Sequence, residues 1–299
     1  MFSAPCSPGR ILSRLRRAIL WKSILRRSLM HLIAVPALHY SCEQLAAIVG
    51  DCFEGYSVPF SLPPAVFAQR FIAEGLSLVD SCVWLADETP AAVALITRRG
   101  VSARLAAFAI RPAYRAKGQG KRLLAPLMAA LRERGVVNMQ LEVIQENHPA
   151  VTLYRNLGFV MTQELYGFQG AADASVQSVA LQALDPLEVV RKATGESNAM
   201  LSWMVDPLSS VSLPALAFEY RKHAYAVLAT HMEKPQLRFI YVEPEYRRKG
   251  FASELLRALN QRFPGLSTSV VVPARFTPLF TRAGYLLMPI SQYEMKADL

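Results

Sequence analysis

Two short runs hold residues whose types and spacing suit a common chemistry. The first is Pro112-Ala-Tyr114-Arg115-Ala116-Lys117-Gly118-Gln119-Gly120, which follows an apolar stretch and opens an amphipathic one. Glycines let the backbone approach a ligand and adopt dihedrals closed to other residues. A helix beginning there points its free N–H groups and positive dipole end back at that ligand. Together these features make a diphosphate cradle, and Lys117, Lys121 and Arg122 add positive charge around it. The second run, Asn147-His-Pro-Ala150-Val-Thr-Leu153-Tyr154-Arg155-Asn-Leu-Gly158-Phe159, offers an amide and a phenol seven residues apart. A glycine-bearing turn on its own also fits an ordinary strand-to-helix connection. A dinucleotide fingerprint needs a different glycine spacing in the chain's first strand–helix unit, with an acid about 20 residues on. A Walker loop needs Gly-Lys-Ser/Thr. Neither pattern is present.

Both runs recur. Pro244-Glu-Tyr246-Arg247-Arg-Lys249-Gly250-Phe-Ala252 repeats the first, and Leu255, Leu256 and Leu259 follow in the register of Leu123, Leu124 and Leu127. Ala283-Gly284-Tyr285 repeats Leu157-Gly158-Phe159. Two blocks in the same order point to a duplicated domain, since chance similarity would not keep the order.

Each copy must then carry elements that position these runs. A strand is predicted before the first block, over 105–110 and again over 237–242. A helix follows (119–134 and 251–262), then a strand (139–145 and 268–272), a shorter helix (148–157 and 277–283) and a final strand. The strand–helix–strand order is a right-handed parallel unit. Upstream, copy one adds a strand over 31–38 and helices over 42–53 and 63–74, with Ser61 as a plausible cap. Strands over 82–86 and 91–97 follow. Copy two is more cramped, with a hairpin over 215–220 and 224–231. A closing strand around 176–184 ends copy one. The expected division is a basic leader over 1–29, a first domain over 30–184 and a second over 185–299.

Composition sets the outer limits. The chain has 299 residues, enough for about two domains, and 52% hydrophobic residues, enough to give each half a core. The net charge of +10 is uneven: residues 1–30 hold seven cations and no acid. Removing those seven from the 33 Lys and Arg leaves 26 against 23 acids. The basic field thus belongs to the leader, and nucleic-acid binding is not expected. Residues 10–29 place arginines among apolar residues at helical spacing. That segment reads as a membrane-surface helix, as an Arg-rich transit peptide, or as no part of the fold with Met30 as the true start, the reading preferred. Charges interrupt its apolar runs too often for a membrane span. Cys6, Cys42, Cys52 and Cys82 lack CxxC spacing and the five histidines lack HExxH spacing, so no metal is expected. The cysteine usage fits a reducing, cytoplasmic setting.

Arg115-x-x-Gly118-x-Gly120, with Pro112 and Tyr114 ahead of it, resembles the acetyl-CoA pyrophosphate motif of the GNAT acetyltransferases. The segment from Asn147 to Phe159 resembles that family's next segment in register. The resemblance implies an α/β fold of mixed α+β type: two tandem domains, each a mostly antiparallel sheet with a splayed parallel strand pair flanked by helices. It also implies a mechanism. Acetyl-CoA binds at Arg115, Ala116, Lys117, Gly118, Gln119, Gly120 and Lys121, and its pantetheine arm lies between the splayed strands. Backbone N–H groups near Ala109 and Ile110 polarise the thioester carbonyl. An amine attacks directly in a ternary complex, Tyr154 protonates the departing thiolate, and Asn147 holds the pantetheine or acetyl region. A phenol suits this role, since its free pKa of about 10 lies near that of a thiol. Tyr154 also fits a helix residue that simply packs the core. Glu142, on the strand before the helix, and Glu54, in the loop facing substrate, are candidate bases, and both also fit solvated surface acids.

Copy two keeps Arg247, Gly250 and Ala252, enough to bind a CoA-like ligand. However, Phe280 and Pro273 stand where copy one has Tyr154 and Asn147. Phe cannot donate a proton, and Pro lacks the N–H that would bond pantetheine. Copy two thus reads as a degenerate domain, cofactor-binding or structural. Three functional classes remain: an N-acetyltransferase acting on a small-molecule amine or a peptide N-terminus, an acyl-CoA-binding sensor, and a structural protein on a retired enzyme fold. Tyr154 with Asn147 favours the first.

Overall fold

The computed structural model describes residues 32–56, 60, 62–115, 118–172, 181–195 and 201–299. The leader, Ser61, Ala116, Lys117 and most of the expected closing strand lie outside the described residues. The first half runs β1 (Ile33–Pro36), α1 (Cys42–Cys52), α2 (Pro64–Ala73), β2 (Cys82–Ala86), β3 (Thr89–Arg99), β4 (Ser102–Ile110), α3 (Gln119–Glu133), β5 (Asn138–Ile144), α4 (His148–Arg155) and β6 (Val160–Gln169). The second runs β7 (Gln182–Leu184), α5 (Pro186–Thr194), β8 (Ala215–Tyr220), β9 (Ala224–Ala229), β10 (Gln236–Val242), α6 (Phe251–Arg262), β11 (Ser267–Thr268), β12 (Val272–Pro273), α7 (Thr277–Arg282) and β13 (Leu286–Asp298).

Local chemistry accounts for the element ends. Ser41 and Gln44 form a reciprocal capping box on α1: Ser41 Oγ accepts from Gln44 N at 3.1 Å, and Ser41 N donates to Gln44 Oε1 at 2.8 Å. Asp185 caps α5 by accepting from Leu187 N, with Pro186 at the first helical position. That helix was not expected from the sequence, which read Asp185-Pro186 as a boundary. The strand expected over 268–272 is instead two short pieces, β11 and β12.

Among the described residues all thirteen strands join one sheet, in the order β1-β2-β3-β4-β5-β13-β6-β11-β10-β9-β8-β7, with β12 against β6. Only β4–β5 and β10–β11 pair in parallel among the described strands. The closing strand is a correction. Residues 182–184 do not complete the first half; they pair with β8 in the second. The strand that lies between β5 and β6 is β13, from the far end of the chain. It runs antiparallel to both, from Gln292 opposite Ile144 to Asp298 opposite Asn138 on the β5 side. In turn β6 lies between β13 and β11 and pairs with β12. Each half therefore lends its last strand to the other.

Packing follows the same exchange. Met295 and Ala297 of β13 are buried with Leu123, Leu124, Leu131 and Val151 of α3 and α4. Leu165 and Phe168 of β6 are buried with Leu255, Leu256 and Leu259 of α6. Successive residues of a strand face opposite sides. Val93 and Leu95 of β3 accordingly join the core under α1 and α2, and their repeat counterparts Tyr225 and Val227 of β9 join the core under α5. Helices thus cover both faces of the sheet, a three-layer arrangement.

Candidate active site

The site begins where two parallel strands part. β4 and β5 pair from Ser102–Asn138 to Leu105–Leu141 and no further. On its other side β4 stays paired with β3 to Ile110, through a bulge that leaves Ala106 unmatched. The end of β4, including Ala109 and Ile110, therefore has one paired edge and one edge facing the gap. Its alternate N–H groups there are available to a ligand. The second half repeats this construction. β10 and β11 pair at Gln236–Ser267 and Leu237–Thr268, and a register shift between Leu237 and Phe239 puts Arg238 at the bulge.

Beyond each bulged strand, a left-handed glycine starts the next helix. Gly118 has φ +81° at the N-cap of α3, and Gly250 has φ +94° at the N-cap of α6. No side chain caps either helix, so the first-turn amides keep their capacity for an anion. Gly120 serves packing instead: a Cβ there would lie 2.6 Å from Leu153 Cδ2 on α4. Ala252 takes the matching place in the second half and is half-buried. Gln119 is buried, with its Oε1 accepting from Arg122 Nη1 at 3.4 Å, while Lys121 is exposed.

The motif arginines do a job that the sequence reading did not foresee. Arg115 Nε donates to Ile110 O at 2.7 Å, and Arg247 Nε donates to Val242 O at 3.0 Å, each tying the turn to the last residue of the preceding strand. Arg115 Nη2 also donates to Cys52 O at 3.2 Å and Glu54 O at 2.6 Å, and its guanidinium lies 5.1 Å from the Tyr56 ring centre. Its side chain thus clamps the loop after α1 onto the end of β4. Glu54 contributes a carbonyl to this clamp and is exposed, outside the cavity that Tyr154 lines.

That cavity, of about 410 Å³, lies between the halves. Tyr154, Asn147 and Glu142 line it from the first half, and Arg238, His231 and Ser269 from the second. Tyr154 is buried on α4, edge-on to Phe159 with ring centres 5.9 Å apart. Burial, with the nearby Tyr56 phenol adding to it, pushes its pKa well above the ordinary tyrosine value. Asn147 caps α4, its Oδ1 accepting from Ala150 N at 3.3 Å. The counterpart of Tyr154, Phe280, is stacked on Phe168 with ring centres 4.3 Å apart, and Pro273 of β12 lies opposite Leu165 of β6.

A buried ionic chain forms part of the wall. Arg70 Nε lies 3.0 Å from Glu74 Oε1, Arg104 Nη1 lies 2.6 Å from Glu74 Oε2, and Arg104 Nη2 lies 2.7 Å from Glu142 Oε2. Burial works to raise the Glu74 pKa, but Arg104, Arg70 and Arg238 overcome it and hold the carboxyl at about 2. For Glu142 burial prevails over the pull of Arg104, and its pKa is raised. Neither Glu74, Arg104 nor Arg238 was singled out from the sequence. The available signal was a charged residue inside each of two otherwise apolar strands, Arg104 before Leu105 and Arg238 after Leu237. Among the described residues no cluster of metal-binding groups occurs and no helix is long and apolar enough to cross a membrane. Cys42, Cys52 and Cys82 are free thiols.

The model of the Acetyltransferase (GNAT) family matches residues 43–159 and 216–272, together more than half of the chain. Among curated proteins, the [ribosomal protein bS18]-alanine N-acetyltransferase of Haemophilus ducreyi is 34% identical over 77 residues, covering 26% of this chain and 53% of that protein. Its Salmonella typhimurium counterpart is 39% identical over 74 residues, covering 25% and 50%. The chain thus spans about half the length of the curated relatives it matches. Among solved structures, a GCN5-related N-acetyltransferase from Sphaerobacter thermophilus superposes with a TM-score of 0.66 at 18% identity, covering 89% of this chain and 95% of that one. A tandem GNAT protein from the clavulanic acid biosynthesis pathway superposes with a TM-score of 0.60 at 12% identity, covering 90% and 98%. At such identities the likeness is one of fold. The duplicated bulge, splay and left-handed glycine, together with the matched segments, place this chain in the GNAT acetyltransferase family.

Proposed function

We propose that the chain is an acetyl-CoA-dependent N-acetyltransferase whose first half is catalytic and which acetylates a primary amine by direct attack. The observation that carries this reading is the buried Tyr154 on the cavity wall, below the parted strands and on the helix packed against Gly120. The residues present suit acetyl-CoA as co-substrate: the free first-turn amides of α3 face a diphosphate, and the gap between β4 and β5 admits an extended pantetheine chain. N–H groups near Ala109 and Ile110 stabilise the charge that develops on the thioester oxygen. The amine nitrogen forms its bond to the acetyl carbon, the C–S bond breaks, and Tyr154 gives its proton to the thiolate. The raised pKa keeps that phenol protonated until it is needed. Glu142 shares the cavity, and a carboxyl with raised proton affinity is the better placed of the two candidate bases to take the amine's proton. Asn147, already holding the α4 turn, bounds the pantetheine side.

The acceptor is a small-molecule amine or a peptide N-terminus. The relatives' name, an alanine N-acetyltransferase of a ribosomal protein, supports the peptide option. The position of the cavity between the two halves, with wall residues from both, supports the small-molecule option. The second half keeps a cradle but has Phe280 in place of the acid, and its proposed role is cofactor-binding or structural.

The test is CoA release from acetyl-CoA over a panel of amines, comparing the full chain with Tyr154→Phe. The variant is expected to fold, since the second half holds Phe at this position, and to lose about 10²–10⁴-fold in turnover. Equal turnover would remove Tyr154 from the mechanism. Thermal protection by acetyl-CoA with no turnover of any amine would favour an acyl-CoA sensor.

A further inference from the structure

The ionic chain along the cavity leaves one charge over. Arg70 and Arg104 are matched by Glu74 and Glu142 through contacts of 2.6–3.0 Å. Arg238 has no such match: among the described residues no carboxylate lies within ion-pair distance of it. Its Nη2 donates to Met204 O at 2.6 Å, while its Nε has no hydrogen-bond partner at all. Yet it is only 5% exposed. Glu74 acts on it only from beyond contact distance, and a buried guanidinium that no carboxylate contacts is costly, so sequences retain one rarely without a use for it. Two further unpartnered polar atoms belong to the same cavity wall, Ser269 Oγ and His231 Nδ1. All three residues come from the second half, opposite Tyr154.

The bulge shows how this charge reached its position. In β4 the unmatched residue is Ala106, and in β10 the residue in that place is Arg238. A bulge re-aims the side chain it carries. The structural device that parts the strands in the first half thus delivers a cation to the shared cavity in the second. Simple stabilisation of Glu74 does not account for Arg238, because Arg104 and Arg70 already contact both oxygens of that carboxylate.

We propose that the second half forms the acceptor-recognition site, in which Arg238, with Ser269, binds a carboxylate carried by the amine substrate. The acceptor is then an amine-bearing carboxylic acid, with its amine turned towards Tyr154 and the parted strands. One negative charge cancels the single surplus positive charge. A phosphate dianion would overcompensate it and sit near Glu74 and Glu142. This inference rests on the reading of the Tyr154 cavity as the acceptor site, and it changes the role of the second half from a retired copy to the half that reads the substrate.

The experiment uses the full chain and a panel of α- and ω-amino acids, each beside the amine that lacks its carboxylate. Steady-state CoA release is measured for wild type, Arg238→Met and Arg238→Lys. Wild type is expected to favour the acid of its best pair by at least about tenfold in kcat/KM. Arg238→Met should raise KM for that acid about 10–100-fold, with little change in kcat and little change for the decarboxylated amine. Arg238→Lys should recover part of the loss. The melting temperature of Arg238→Met should hold or rise, since that substitution removes a buried charge that no carboxylate contacts. Equal use of acid and amine by wild type, or equal losses on both in Arg238→Met, would overturn the proposal. Thermal-shift binding of the same panel to Tyr154→Phe separates this from the catalytic reading. Binding of acids but not amines, abolished by adding Arg238→Met, upholds the carboxylate site even if no turnover is found. Absence of any acid-selective binding sinks it even if amines are acetylated.

Discussion

Arg115 and Arg247 show that a motif residue can carry a structural task beside the one its place in the motif implies. The motif implies cofactor binding at both, and in the fold both side chains donate to the carbonyl that ends the preceding strand. The expected consequence is that Arg115→Met costs about 1–3 kcal/mol of stability, read as a lower urea midpoint, and changes the KM for acetyl-CoA little. Gly118→Ala acts the other way. A side chain at φ +81° is strained by about 1–2 kcal/mol and tilts the first amides of α3, so the KM for acetyl-CoA should rise together with the loss of stability. Glu74 gives a pH prediction. Its carboxyl is held near 2 in the fold against the ordinary 4.5, so its stabilising effect is full above 4.5 and is lost as pH falls towards 2. Wild type should therefore exceed Glu74→Gln in urea resistance at neutral pH, with the gap closing in that acid window. A constant gap would show that the ion pairs contribute nothing. Tyr154 and Asn147 were legible from a local pattern. Arg238 was not, because its meaning depends on the absence of a partner, and no run of sequence records that.

Elements with strong periodic patterns were readable almost to the residue. α6, β2 and β8 have the bounds expected from apolar spacing and turn residues. α5 was missed although its capping aspartate and first-position proline were visible, because those residues also suit a domain boundary. The fold class was legible since the repeat fixed the order of strands and helices. Partnership between distant strands was not, because a strand's alternation records which face is buried and nothing about which neighbour it meets. The ionic chain also joins elements, tying α2 to β4 and β5. Breaking it with Arg104→Met leaves Glu74 and Glu142 buried without their shared cation, with an expected cost of about 3–5 kcal/mol. Calorimetry would check this, and a loss under 1 kcal/mol would mean that water or rearranged neighbours replace the guanidinium.

Across the whole molecule, the halves are joined by more than a linker. Trp203 Nε1 donates to Glu74 O at 2.8 Å, the cavity draws its wall from both halves, and β6 and β13 are exchanged. The full chain should therefore unfold in one calorimetric transition, and two resolved transitions would contradict this. A chain cut after Tyr285 should lose the native near-ultraviolet signal of both halves, since β5 and β6 would each be left with a bare edge. The exchange also bears on how the protein comes into being. A ribosome releases the first half's cavity wall, Tyr154 included, long before Asp298, yet Asn138, already beside Ser102, cannot find its antiparallel neighbour until Asp298 emerges. Synthesis and folding thus run on different clocks. The earlier half must wait unfinished, exposed to chaperones and proteases, and competence arrives for the entire polypeptide at once.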